Sequence, residues 1–133
     1  LGNVGDNSKI KGIIYEAPVI NFWESVEVNG AARYPWLPKQ LFAYFKIFTE
    51  IRYGIDFQNM DFTDNVINSD IPALLFHGDD DEWVPIEMSD FIAENRDTNF
   101  TYIRYENVGH VTSWNADPDN YVYQVDAFLS GLD

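Results

Sequence analysis

The chain has 133 residues, 46% hydrophobic and 17% aromatic, with a formal net charge of −14 and no cysteine. The apolar content excludes a disordered acidic tail, the length fits one domain, and the charge argues against nucleic acid and anionic lipid as partners. Disulfides, thiolate metal sites and a cysteine nucleophile are excluded, and no run approaches the ~20 apolar residues that span a bilayer. The charge reads as a well-solvated surface on a soluble protein, with the cytoplasm favoured as its location.

Residues 1–9 are rich in Gly, Asn, Asp and Ser and read as a loop. They lack the basic start and apolar middle of a signal peptide. Leu1 stands where an initiator Met would, which reads as a processed or truncated piece of something longer. Residues 10–16 form a β-branched run, read as a buried strand that Ala17-Pro18 ends, because proline cannot donate to a ladder. From residue 21 the spacing turns helical. Phe22, Trp23, Val26 and Gly30 fit one helix, Pro35 and Pro38 interrupt, and Pro38 opens a second helix as its first residue. There Leu41, Phe42, Phe45, Phe48 and Ile51 make one apolar face, closed by Gly54. That face reads as ordinary core, with a substrate-pocket lining as the alternative. Residues 55–70 are a connector in which Thr63 or Asp64 caps a turn of helix.

The run Ala73 to Phe76 has no polar alternation and fits a strand buried on both faces of a parallel sheet. It leads into His77-Gly78, then Asp79, Asp80, Asp81 and Glu82, then Pro85. The carboxylates therefore sit just past the carboxyl end of a buried strand, where open α/β sheets place ligands and chemistry. Residues 86–94 read as a helix with Ile86, Phe91 and Ile92 apolar and Glu87, Ser89, Asp90 and Glu94 solvated. Residues 96–99 read as a turn, 100–105 as a third strand, and 106–110 as the loop leaving it. Asp117-Pro118 starts a last helix whose apolar face is Tyr121, Val122, Val125, Phe128 and Leu129. This alternation predicts an α/β fold, a mostly parallel sheet flanked by helices, with right-handed crossovers gathering the strand ends on one rim.

Asp81 and His110 each follow a predicted strand and so belong to loops at that rim. A carboxylate on one imidazole nitrogen fixes the tautomer and stabilises the cation formed when the other nitrogen takes a proton. The pair is two-thirds of a nucleophilic triad, and Gly109 is expected to let the loop turn tightly enough to present His110. The same residues also allow Asp81 to cap the helix after Pro85, and His110 to be a satisfied buried histidine. Asp79, Asp80, Asp81 and Glu82, with Asp117, Asp119 and Asn120, are oxygen ligands of the kind that hold Ca²⁺. Their spacing departs from the calcium-loop pattern, so neither metal nor cofactor is expected. Trp83 and Trp114 flank the two loops and either wall an acyl or aromatic leaving-group pocket or close the rim as packing.

Residues 77–85, HGDDDEWVP, resemble the HGxxDxxVP segment that carries the acid of α/β-hydrolases, and Gly109-His110-Val111 resembles their histidine segment. The likeness covers essentially the whole chain, best from Pro72 onward, and Ser113-Trp114-Asn115 is similar to a form found in some uncharacterised relatives. It implies the carboxyl-terminal half of an α/β-hydrolase fold as a single partial domain over 1–133, with a helical cap insertion at about 20–68 and the acid- and histidine-bearing part at 71–133. It assigns the triad acid to Asp81 and the base to His110, and makes His77 structural. The family's nucleophile sits in a Gly-x-Ser-x-Gly elbow upstream of the acid. None of Ser8, Ser25, Ser69, Ser89, Ser113 and Ser130 occupies one. The implied function is therefore a portion of a serine hydrolase of esters, thioesters or amides, inactive alone, with the serine expected upstream. A lone half would expose a sheet edge and invite self-association. The competing expectations are a non-catalytic scaffold on the same fold, or a two-chain enzyme whose partner supplies the serine.

Overall fold

In the computed structural model, which describes residues 9–132, three strands form one parallel sheet. They are β1 (Ile13–Glu16), β2 (Ala73–Gly78) and β3 (Phe100–Tyr105), in the order β1-β2-β3. Ile13 pairs with Ala73, and Ala73 with Phe100, so the carboxyl ends of all three strands share a rim. Helices α1 (Phe22–Arg33), α2 (Lys39–Tyr53) and α3 (Thr63–Ile67) lie between β1 and β2 in the chain, α4 (Ile86–Asn95) between β2 and β3, and α5 (Ser113–Ala116) and α6 (Pro118–Ser130) after β3.

Every residue of β2 is buried. Side chains alternate across a strand, so Leu74 and Phe76 face one way, where they pack with Tyr105 and Val108 against Tyr121, Val125 and Phe128 of α6. Phe76 stacks on Tyr121 with ring centroids 4.2 Å apart. Across the sheet Ile92 of α4 packs with Ile20 and Val66. Asp117 caps α6, its Oδ1 accepting the Asn120 amide at 3.1 Å, with Pro118 in the first turn, as the Asp-Pro pair predicts. Gly54 ends α2 at φ 68°.

Several expectations change. β1 spans four residues rather than seven and is partly exposed, because only β2 pairs with it and it forms an edge among the described residues. Pro38 precedes α2 as its extended N-cap rather than opening it. The apolar face of α2 is not core. Thr49 is the buried residue of that helix, while Phe48 and Ile51 are 60% and 81% exposed. Its contacts are local, with Phe42 close over Gly30 of α1 and Lys46 5.5 Å from the Trp23 ring centroid. The start of α3 is tied by Asp61 rather than by Thr63 or Asp64, Asp61 Oδ1 accepting the Thr63 amide at 3.0 Å. Ser89 is fully buried rather than solvated, and Val122 and Leu129 of α6 are exposed. No helix among the described residues is long and apolar enough to cross a membrane.

Candidate active site

The site forms where the loop after β2 meets the loop after β3. Gly78 makes that meeting feasible: a Cβ there would come within 2.6 Å of the Val108 carbonyl carbon and 2.9 Å of Val108 Cβ. The loops are then stitched by the Asp79 amide donating to the Tyr105 carbonyl at 2.9 Å and the Asp80 amide to the Val108 carbonyl at 3.1 Å. Asp79 Oδ1 accepts the Asn107 amide at 2.7 Å. Asp79 and Asp80 are thus loop-building residues, and their bonds deliver His110 to Asp81.

Asp81 has no side-chain exposure. Its Oδ1 accepts the amides of Trp83 at 2.8 Å and Val84 at 2.9 Å, an Asx-type turn that orders its own loop. Its Oδ2 lies 2.8 Å from His110 Nδ1. Asp81 therefore does not cap α4, whose first turn receives no side-chain cap. Burial opposes the charged form of Asp81, but the Val84 amide, His110 and the Trp83 amide outweigh it and hold the carboxyl below the ordinary carboxylate range. An ionised acceptor at Oδ2 places the His110 proton on Nδ1. Nε2, on the opposite side of the ring, is left as the basic nitrogen. The His110 side chain is 35% exposed, so it is not a buried structural histidine.

His77 is fully buried. Its Nε2 is 3.2 Å from both Asp81 Oδ2 and the Val84 carbonyl, and its Nδ1 is 2.7 Å from Ser89 Oγ. Two acceptors at Nε2 put the proton there, and the Ser89 hydroxyl then donates to Nδ1. Burial lowers the proton affinity of His77 more than Asp81 raises it, keeping the ring neutral.

Gly109 does not make the turn. A Cβ there would meet only ordinary contacts, at 3.8 Å and beyond. The left-handed residues are instead Asn107 at φ 56° and Val111 at φ 52°, on either side of His110. Val111 is β-branched and strained in that region, and such strain concentrates at sites whose geometry the surroundings over-determine.

Trp83 and Trp114 have different surroundings. Trp83 separates two clefts. One, of about 350 Å³, is lined by Val19, Phe22, Val26, Trp83, Val84 and His110, and is almost wholly apolar. The other, of about 710 Å³, is charged, with Asp79, Glu82, Glu87 and Arg33 on its walls. The Asn29 amide side chain donates to the Trp83 carbonyl, tying α1 to this partition. Trp114 packs edge-on against Tyr121 at 5.5 Å and lines neither cleft. Among the described residues no three His, Asp or Glu side chains are grouped to hold a metal ion. Of the candidate ligands, Asp79, Asp81 and Asp117 are engaged with main-chain amides.

Sequence reasoning missed Glu16. At the end of β1, its Oε1 accepts the Ser113 amide at 3.0 Å and its Oε2 the Tyr121 hydroxyl at 3.4 Å, anchoring the segment just after His110. The contact spans 97 residues of chain, and nothing in the local pattern marks it.

No protein-family model matches the sequence, and no curated protein matches it. Solved structures do. The esterase Pf2001 of Pyrococcus furiosus aligns with 98% of this chain and 46% of its own, with a TM-score of 0.61 and 22% identity. A second crystal form of it gives 96%, 45%, 0.61 and 18%. The esterase RhEst1 from Rhodococcus sp. is a slighter likeness, over 55% of this chain and 26% of its own, with a TM-score of 0.47 and 27% identity. The chain thus spans about half the length of the esterase it matches. Identity this low speaks to the fold alone: α/β, a three-stranded parallel sheet flanked by helices, consistent with part of an α/β-hydrolase-like fold.

Proposed function

We propose that this chain carries the acid and base of a serine hydrolase acting on a carboxylic ester, thioester or amide, on the carboxyl-terminal part of an α/β-hydrolase fold. The single observation that carries the reading is the 2.8 Å contact between Asp81 Oδ2 and His110 Nδ1 at the carboxyl rim of a parallel sheet. His110 Nε2 takes the proton of the serine hydroxyl as its oxygen attacks the carbonyl, and returns it to the leaving oxygen, sulfur or nitrogen. Water then repeats the cycle on the acyl-enzyme. Asp81 orients His110 and stabilises the imidazolium between the two transfers. The apolar cleft between Trp83 and α1 takes the acyl group. The residues between β1 and β2 act as the cap, and the substrate is a small molecule. The serine comes from polypeptide outside these 133 residues, which would cover the edge of β1 and the exposed face of α2. Left uncovered, these surfaces favour self-association.

The absence of a Gly-x-Ser-x-Gly elbow from the sequence favours a second reading, a non-catalytic binding protein on the same fold. Turnover of p-nitrophenyl esters separates the two. The chain alone is expected to be silent. The chain extended upstream by the preceding residues of its own gene is expected to turn over ester and to lose that activity in His110→Ala. An elbow-bearing extended product that stays inactive supports the binding protein. Turnover unchanged by His110→Ala overturns the assignment of the base.

A further inference from the structure

The Asp81 carboxylate has about four acceptor positions, and all are used. Two main-chain amides occupy Oδ1, and two imidazoles converge on Oδ2, His110 at 2.8 Å and His77 at 3.2 Å. His77 is held in turn by Ser89 Oγ at its far nitrogen. An unbroken line therefore runs from α4 through Ser89, His77 and Asp81 to His110. We propose that His77, seated on Ser89, is a positioning residue: its N–H, shared between Asp81 Oδ2 and the Val84 carbonyl, keeps Asp81 Oδ2 aimed at His110. This deepens the hydrolase reading and rests on it for its catalytic meaning, but not for its test.

The physical reason is the rotation of the carboxylate. The two amides at Oδ1 leave the torsion of the Asp81 side chain partly free, and a second N–H donor at Oδ2 fixes it in the orientation that accepts from His110. The groups around His77 are Asp81 and His110 from the rim loops, Ser89 from α4, and Arg104 at the paired position of β3, itself held by Asp79 and Asp90. His77 remains neutral because its burial outweighs the pull of Asp81.

The chain contains two histidines, so imidazole ¹⁵N and N–H proton spectra at neutral pH resolve each ring. His110 is expected to carry its proton on Nδ1 and His77 on Nε2. His77→Phe removes the donor and is expected to loosen the Asp81–His110 bond, so that the His110 Nδ1 proton exchanges faster with water and the His110 nitrogen signals move towards the average of the two tautomers. His77→Gln can still aim an N–H at Oδ2 and is expected to keep the His110 signals of the parent. Ser89→Ala frees His77 Nδ1, so the His77 nitrogen signals are expected to average between tautomers and the His110 signals to move by a smaller step. Unmoved His110 signals in His77→Phe, or equal changes in His77→Phe and His77→Gln, overturn the proposal. If His77→Phe does not fold, Ser89→Ala decides, and His77 and His110 spectra identical to the parent overturn it. These spectra need no nucleophile, so this proposal and the hydrolase reading can fail separately.

Discussion

Two glycines flank the chemistry, and the structure assigns them opposite importance. At Gly78 a methyl group would be driven into main chain, within 2.6 Å of the Val108 carbonyl carbon and closer still to its oxygen. Neither β2 nor the Val108 segment can yield cheaply, because Gly78 is a buried position paired with Tyr105 and the neighbouring amides of Asp79 and Asp80 are bonded across the same gap. Forcing an extra methyl into packed structure costs about 1–3 kcal/mol, and a clash with backbone rather than a flexible side chain belongs at the upper end. Gly78→Ala is therefore expected to destabilise by about 2–3 kcal/mol and to move the His110 loop away from Asp81. At Gly109 the same methyl finds its nearest neighbours at 3.8 Å and 3.9 Å, with no left-handed backbone to strain. There the reduced freedom of the unfolded chain acts alone, and Gly109→Ala is expected to be neutral or to stabilise by up to about 1 kcal/mol. Urea unfolding of the two variants beside the parent reads both numbers, and the ¹⁵N shift of His110 reports whether its bond to Asp81 survives. A Gly109→Ala cost equal to that of Gly78→Ala, or a Gly78→Ala cost below about 0.5 kcal/mol, would refute the account of how the loops meet.

Acidification should destabilise the chain in two windows. His77 binds its proton less readily folded than its ordinary 6.5, so as pH falls below 6.5 the unfolded chain takes up protons first and stability drops towards the folded pKa of His77. Asp81, held below its ordinary 3.8, adds a second loss as pH falls through that value. Urea midpoints measured at stepped pH should show both, and His77→Gln should erase only the upper one; a flat profile from neutral to weakly acidic pH contradicts the neutral, buried assignment of His77. Arg96 is buried, donates to the carbonyls of Val66 and Ile71, and lies 5.1 Å from the Phe100 ring centroid. Arg96→Ala removes the guanidinium from the Val66, Ile71 and Thr98 carbonyls, of which Val66 keeps main-chain donors, and is expected to cost about 2–3 kcal/mol by chemical denaturation, where a loss under about 1 kcal/mol would mean water replaces the guanidinium.

Much of the layout was legible before any coordinates, because it follows from short-range pattern. The unbroken apolar run of β2 could only be satisfied between two layers, and carboxylates directly after such a run had to emerge at its carboxyl end. The Asp117-Pro118 and Tyr53-Gly54 pairs marked helix ends through local hydrogen bonding and backbone freedom. The apolar stripe of α2 is largely uncovered, because periodicity reports that a face is apolar, not that anything covers it. Glycine is the usual left-handed residue, so the sequence points to Gly109, whereas the loop imposes that conformation on the β-branched Val111.

Composition and spacing by themselves determined a parallel α/β sheet and put a carboxylate run and His110 in separate loops at its rim, and the likeness of residues 77–85 to the HGxxDxxVP segment singled out Asp81 within that run. The three-dimensional fold alone decided that Asp81 Oδ2 serves two imidazoles, that Ser89 supports the buried one, and that Glu16 secures the segment after His110. The reason is distance along the chain: an Asp-His contact across 29 residues and a Glu-Ser contact across 97 leave no local signature. They exist only once three strands align their ends and Gly78 lets two loops close upon each other.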